Sequence, residues 1–221
     1  MARYRHVIWD WNGTLLDDTA VVVEVMNGLL QSRRLAPLTA ERYRQVFTFP
    51  VRRYYEALGF DLAAEPFADL AAEWVEGFSR RWRSASLRSG AETTLLGLAE
   101  RGLSQSLLSA AEQGLLQEQT AHFAVAGAFT GLVGIDDHHA ETKLEHGRRW
   151  LVQAGLDPAT VLLVGDTVHD YEVATALGVD AVLFSGGHQS RVRLEACRVP
   201  VIDAVPDVLA IVDGGQPPSQ M

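Results

Sequence analysis

Asp10-Trp11-Asn12-Gly13-Thr14 follows one short apolar run, Ser109 follows a second, and Gly165-Asp166-Thr167-Val168-His169-Asp170 follows a third. An aspartate, a hydroxyl and an acidic loop at the exits of expected strands are groups that could attack an electrophile, bind an anion or hold a hard cation. Carboxylates that converge from separate strand ends repel each other unless a cation lies between them. Carboxylate, carbonyl and water ligands suit Mg2+, which keeps waters and commonly a substrate phosphate. Lys143 falls in order between Ser109 and Asp166, and it is the single lysine beside 18 arginines. A compact ammonium and a planar guanidinium are not interchangeable at a phosphate site, so its position points to the same chemistry. Taken one at a time, each loop has a plain structural alternative, because Asn-Gly is a common turn and Asp a common helix cap. Independent caps need not share one edge of a sheet, however, and the ordered set favours a site.

The elements that must position these groups follow from periodicity. Residues 5–9 are short, apolar and partly β-branched, which predicts a buried strand. Apolar residues then recur at helical spacing over 19–34 (Val22, Val25, Met26, Leu29, Leu30), with Asp17, Asp18 and Thr19 as start signals. Residues 36–85 contain no convincing strand; 40–47, 50–58 and 64–85 read as helices separated by Pro37, Pro50, Gly59 and Pro66. From Gly90 the pattern alternates: helix 91–101, strand 103–108, helix 112–121, strand 132–135, helix 142–154, strand 160–164, helix 168–177, strand 180–184, helix 190–196, strand 199–202 and helix 205–212. Alternation of this kind implies crossover connections and a parallel sheet covered on both faces. The expected fold is α/β: a doubly wound, Rossmann-like core from residues 1–17 and 89–213, an all-helical cap at 18–88 inserted after the first strand, and a flexible tail at 214–221. In such a sheet ligands bind beyond the carboxyl ends of the strands, where the polar loops lie.

Composition restricts the partners. The 221 residues are 48% hydrophobic and 21% charged, an ordinary folded profile. A formal charge of -9 disfavours phosphate backbones and anionic membranes as partners. The one cysteine, Cys197, excludes an internal disulfide framework and a multi-cysteine zinc site and reads as a small apolar filler. The apolar run at Val7-Ile8-Trp9 is too brief for a signal peptide and no stretch reaches the length of a membrane span, so a cytoplasmic protein is expected.

The order Asp10-x-Asn12-Gly13-Thr14, Ser109, Lys143, Gly165-Asp166-x-x-x-Asp170 resembles the haloacid dehalogenase-like hydrolases. Within them it is most similar to the phosphoglycolate phosphatase-like branch, whose small helical cap is inserted where residues 18–88 lie. The resemblance implies a Mg2+-dependent phosphohydrolase acting on a small phosphorylated metabolite, a phosphoglycolate-like monoester. By the same resemblance Asp10 is the nucleophile that forms an aspartyl-phosphate. Its second oxygen, the Asn12 backbone carbonyl and Asp166 bind Mg2+, with Asp170 in support. Ser109 and Lys143 hold the phosphoryl group, and Thr14 orients the loop. Relatives that cleave carbon–phosphorus bonds use a cap lysine, which residues 18–88 lack. The dehalogenating branch needs no metal motif, whereas Asp166 and Asp170 are both present here.

One departure matters. The family's phosphatases usually carry Asp two residues after the nucleophile, as general acid and base; here the residue is Asn12. An amide cannot exchange a proton near neutral pH, and such assistance typically contributes about 10²–10⁴-fold. The alternative reading is therefore a catalytically impaired protein that binds a phosphorylated ligand and Mg2+, although binding alone does not need a nucleophile. His169 could titrate beside the metal motif or be an ordinary exposed helix residue. Asp136, Asp137, His138 and His139 resemble a metal cluster but read better as a polar loop near the site mouth. Asp17 is expected to cap or brace the loop. Of Trp9 and Trp11, one is expected in the sheet and the other against the pocket. Arg52 and Arg53 either reach an anionic substrate or form a solvated face.

Overall fold

A computed structural model describes residues 3–135 and 143–215. The Asp136–His139 loop and the part of the tail beyond residue 215 lie outside them. Among the described residues a six-stranded sheet runs in the order β5-β4-β1-β6-β7-β8, every pair parallel. Its strands are β1 (His6–Trp9), β4 (Ser104–Glu112), β5 (Gly131–Ile135), β6 (Val161–Gly165), β7 (Asp180–Phe184) and β8 (Val201–Ile202). This is the expected α/β architecture.

The central strand shows why. Side chains alternate across a strand, and all four residues of β1 are buried. Val7 and Trp9 enter the core formed with α5 (Ala91–Glu100) and α10 (Asp207–Val212), whereas Ile8 enters the core under α7 (Lys143–Gln153) and α8 (Val168–Leu177). A strand buried on both faces reads as a continuous apolar run rather than an alternation. His6 pairs in register with Ser104 and Val161, so the exits of β4, β1 and β6 lie side by side at one sheet edge.

The segment between β1 and β4 forms a second, smaller core. Helix α1 (Thr19–Ser32) buries Val22, Val25, Met26, Leu29 and Leu30 against α2 (Ala40–Val46), α3 (Val51–Ala57) and α4 (Phe67–Arg81). Helices α1 and α4 touch closely because Gly77 lies at the crossing, where an added Cβ would sit 2.9 Å from Val25 Cγ1. The helix expected over 64–85 is shorter: Pro66 opens α4, and after Arg81 the chain tightens into a 3-10 turn that buries Trp82.

Between these helices and the sheet lies an element missed by the sequence reading, a two-stranded antiparallel pair of β2 (Leu16–Asp17) and β3 (Ser86–Leu87). Arg88 ties it to the first loop, pairing with Asp17 at 2.7 Å and donating to the Gly13 carbonyl. Asp17 thus braces the loop from outside. Trp9 and Trp11 are both fully buried, and their indole N–H groups donate to Gln105 and Gln119. Neither lines the pocket, so the expectation for one of the pair is corrected: both rings fill the core above the sheet.

His6 is the buried titratable group of the sheet, bonded through Nδ1 to Ser104 and through Nε2 to Ser106. Burial lowers its pKa to about 4. The folded chain therefore binds fewer protons than the unfolded chain between about pH 4 and 6.5, and stability is lost as pH falls through that window. We expect urea unfolding to show about 2 kcal/mol of loss from this group and His6→Gln to reduce it; an unchanged acid slope in the variant would refute the assignment.

Candidate active site

Each group singled out at the strand exits, save one backbone carbonyl, can be placed by its contacts. Asp10 leaves β1 and its backbone N–H donates to the Val164 carbonyl of β6, which fixes it on the sheet edge. Its Oδ1 accepts from Lys143 Nζ at 2.5 Å, and Lys143 reaches Asp170 Oδ1 at 2.6 Å. Thr14 Oγ1 lies 2.9 Å from Asp166 Oδ1 and 3.3 Å from Asp10 Oδ2. Having one proton, that hydroxyl serves the shorter contact and can swing to the longer. Asp10, Asp166 and Asp170 each place a carboxylate oxygen within 4.8 Å of the others, all buried. Three carboxylates that close, with oxygen donors alone, form a donor set matched to a hard divalent cation.

The two acids of the third loop have different duties. Asp170 Oδ2 accepts from the backbone of Asp166 and Thr167 and from the Thr167 hydroxyl, completing a capping box at the start of α8. With its other oxygen on Lys143, Asp170 holds the loop and the lysine. Asp166 accepts instead from Thr14 and from the His188 backbone N–H at 2.5 Å. Gly187 makes that approach possible, since a Cβ there would lie 2.1 Å from Asp166 Oδ2. Gly13 is needed for the same reason and for its φ of +79°, a Cβ meeting Asp166 at 2.4 Å.

Lys143, the first described residue of α7, is 4% exposed. That burial opposes an ammonium. Burial works against its charge, but Asp10 and Asp170 more than offset it, and its pKa is raised. Burial pushes Asp10 up to about 8, with Lys143 pulling the other way and Asp170 and Asp166 adding to the rise. Asp166 is likewise raised to about 7 by burial and by Asp170. Asp170 is lowered, because Lys143 and Thr167 outweigh burial.

Ser109 lies in the extended reach of β4, where the pairing with β5 shifts between Leu108 and Glu112, and it is buried with its Oγ accepting from Ala111 N–H. Asp10, Asn12, Ser109, Lys143, Asp166 and Asp170 all line one cavity of about 280 Å3, and His169 lines it too. Thr14 stands behind the carboxylates and does not line it. Arg52 and Arg53 also lie off this cavity; both are exposed, and Arg52 pairs with Glu56. Cys197 is half-buried.

Three lining residues went unread in the sequence. Asp18 Oδ2 accepts from the Asn12 side-chain amide at 2.7 Å, and its Oδ1 accepts from Gly13 N–H at 2.9 Å. His188 Nε2 lies 3.4 Å from Asp18, and its Nδ1 is 3.0 Å from the hydroxyl of Tyr43 in α2. Asp18 does hold the N-cap position of α1, as its place before Thr19 predicts, but its side chain caps no helix N–H and turns back onto the first loop. The signal for His188 was available: β7 exits on the same edge into Ser185-Gly186-Gly187-His188. The inserted helices are fastened to the segment after β7 by Arg44 Nε on the Gly187 carbonyl, Gln189 on the Phe47 carbonyl, and Arg193 on the same carbonyl.

The raised acids have a consequence for stability. Asp10 and Asp166 keep protons in the folded chain that the unfolded chain releases, so their contribution is lost as pH rises through about 7 to 8. In EDTA, unfolding free energy should fall from pH 6.5 to 8.5, and millimolar Mg2+ should flatten that fall. A stability that rises across this window in EDTA would contradict the arrangement.

Comparison with known proteins agrees with the geometry. The sequence profile of the family described as haloacid dehalogenase-like hydrolase matches residues 7–184. A phosphoglycolate phosphatase of Synechococcus elongatus is 25% identical over 211 residues, 93% of this chain and 96% of its own length. The tyrosine-protein kinase PtkA of Mycobacterium tuberculosis is 24% identical over 183 residues; the match takes in 82% of this chain but only 62% of that protein. Among solved structures, a predicted phosphatase from Clostridium acetobutylicum superposes with a TM-score of 0.81 at 18% identity, covering 96% of this chain and 99% of that one, a likeness of fold. The chain belongs to the haloacid dehalogenase-like hydrolases, and its likeness runs to their phosphoglycolate phosphatase-like branch.

Proposed function

We propose that the protein is a Mg2+-dependent phosphohydrolase that cleaves a small phosphate monoester through an aspartyl-phosphate on Asp10. The observation that carries this reading is the convergence of Asp10, Ser109, Lys143, Asp166 and Asp170 on one cavity. Asp10, Asp166 and the Asn12 backbone carbonyl would hold the ion, with Asp170 in support. When bound, Mg2+ supplies neutralising charge to the carboxylates and to the phosphoryl oxygens.

The residues divide the rest of the work. Lys143 and Ser109 hold the phosphoryl group over Asp10, and Thr14 with the His188 N–H keeps Asp166 turned inward. The Asp10 carboxylate attacks phosphorus, the bond to the ester oxygen breaks, and water then cleaves the acyl phosphate to release inorganic phosphate. Two easier displacements replace one difficult hydrolysis. Helices α1, α2 and α4 over the site exclude bulk water during these steps. The partner is a small phosphorylated metabolite in the cytoplasm; among the described residues no helix is long and apolar enough to cross a membrane.

Asn12 is the group that sets the rate. Its amide is tied to Asp18, so it can position substrate but not protonate a departing alkoxide. A binding protein without turnover, the other reading of Asn12, has no use for a nucleophile held by an ammonium.

Phosphate release from p-nitrophenyl phosphate and from phosphoglycolate tests the reading. Turnover of the aromatic ester should vanish in EDTA and in Asp10→Asn; persistence in Asp10→Asn would sink the mechanism. Asn12→Asp should gain roughly tenfold or more on the alkyl ester and lose thermal stability, because a carboxylate there faces Asp18. An unchanged alkyl rate would place the slow step elsewhere.

A further inference from the structure

The wall opposite Asp10 carries information about what is esterified to the phosphate. On the cap side the cavity is lined by Val22, Phe47, Phe49, Trp74 and Phe78. Trp74 and Phe78 stack at 5.1 Å between ring centroids with 11° between planes, and Phe49 lies 4.7 Å from the His169 ring. Aromatic faces of this kind accept another ring in offset or edge contact.

Among the described lining residues Lys143 is the one ammonium or guanidinium, and it is committed to Asp10 and Asp170. The two lining imidazoles are also engaged: His188 by Tyr43 and Asp18, and His169 Nδ1 by Glu172. Against the described lining residues, a carboxylate on the leaving group, as in phosphoglycolate, would be buried beside rings with no cation to meet it, which is unfavourable.

The apolar wall also continues. A second cavity of about 300 Å3 shares Val22, Phe47, Trp74 and Val75 with the first and extends into the cap. Tyr54 lines it, buried, and the Tyr54 hydroxyl has no hydrogen-bond partner among the described residues. The helices therefore offer aromatic surface first and the unpartnered Tyr54 hydroxyl beyond it.

The chemistry at Asn12 runs the same way. A phenol ionises near pH 10, so an aryloxide departs without a proton donor, whereas an alkoxide needs one. The lost carboxyl function costs least where the leaving group is aromatic.

We propose that the site takes aryl phosphate monoesters whose leaving group carries no second anion, the ring lying against Trp74 and Phe47. The assignment rests on the phosphohydrolase reading for its turnover but not for its binding. In the reaction Asp10 forms its bond to phosphorus as the phosphorus–aryloxy bond breaks. The electron pair leaves on the aryloxide, which takes a proton from solvent, and one water then hydrolyses the aspartyl-phosphate.

The test uses the full chain with Mg2+ and three esters: phenyl phosphate, benzyl phosphate and phosphoglycolate. Phenyl and benzyl phosphate should share a KM at least tenfold below that of phosphoglycolate, with kcat much lower for benzyl, whose leaving group is an alkoxide. In parallel, phenylphosphonate and phosphonoacetate, which cannot be turned over, are titrated by tryptophan fluorescence. Phenylphosphonate should bind at least tenfold more tightly. Trp74→Ala should bring the two affinities to within about threefold, and Val75→Arg, at an exposed position bordering both cavities, should shift the preference toward phosphonoacetate. Phosphonoacetate bound as tightly as phenylphosphonate, or a lower KM for phosphoglycolate, overturns the proposal. Failure of all three esters while phenylphosphonate binds selectively would overturn the phosphohydrolase reading and leave the aryl site standing.

Discussion

The ion pair between Lys143 and its two carboxylates is the interaction on which the rest of the site depends. It joins the exit of β1, the exit of β6 and the first turn of α7 at contacts of 2.5 and 2.6 Å. Neither the Lys143 ammonium nor the Asp170 carboxylate is tolerable alone at that depth: breaking a buried pair by removing one partner typically costs about 3–5 kcal/mol. The cluster thus constrains where α7 must lie against the sheet and how closely the two loops approach. The lysine is compact enough to touch both carboxylates while leaving a face of Asp10 on the cavity. A guanidinium would fill that space with its planar fork, and this gives a physical reason for one lysine among 18 arginines.

Around this centre the orientation of each acid is assigned to a separate neighbour. Thr14 turns Asp166 from one side and the His188 backbone from the other, while the capping box immobilises Asp170. His188 has a further attachment, because its ring meets Tyr43 in α2. One residue therefore touches both the acid expected to bind metal and the helices above it. Arg44, Gln189 and Arg193 add hydrogen bonds across the same seam.

How much of this could be read beforehand depends on the range of the interactions. Strands β1 and β6 were legible because a strand covered on both faces must be apolar throughout, and their polar exits stood out against that run. Asp10, Ser109, Lys143, Asp166 and Asp170 were legible as an ordered set along the chain. The pairing of β2 with β3 was not, since two residues on each side carry no periodicity and their partners are about 70 positions apart. Asp18 looked like a helix start, and only the folded loop shows its carboxylate turned back onto Asn12 and Gly13. Trp11 is a similar case: its indole found Gln119, more than a hundred residues away, and so was drawn into the core rather than toward ligand. The aromatic wall was invisible because helical spacing alone does not distinguish a ring that faces a cavity, such as Phe47, Trp74 or Phe78, from one packed between helices.

The short β2–β3 pair has a consequence for how such a molecule can diversify. Leu16 faces Leu87 and Asp17 faces Ser86, so the chain leaves the sheet domain and returns to it through neighbouring backbones, about 4.8 Å apart as in any ladder. Whatever is spliced between those two points closes on the same short span, and the entropy of closing it grows only slowly with its length. The intervening helices can be lengthened, exchanged or relined with different side chains without moving β1 or β4. The strand-exit residues and the helices that face them are in this sense separate modules joined by a doorway one ladder wide.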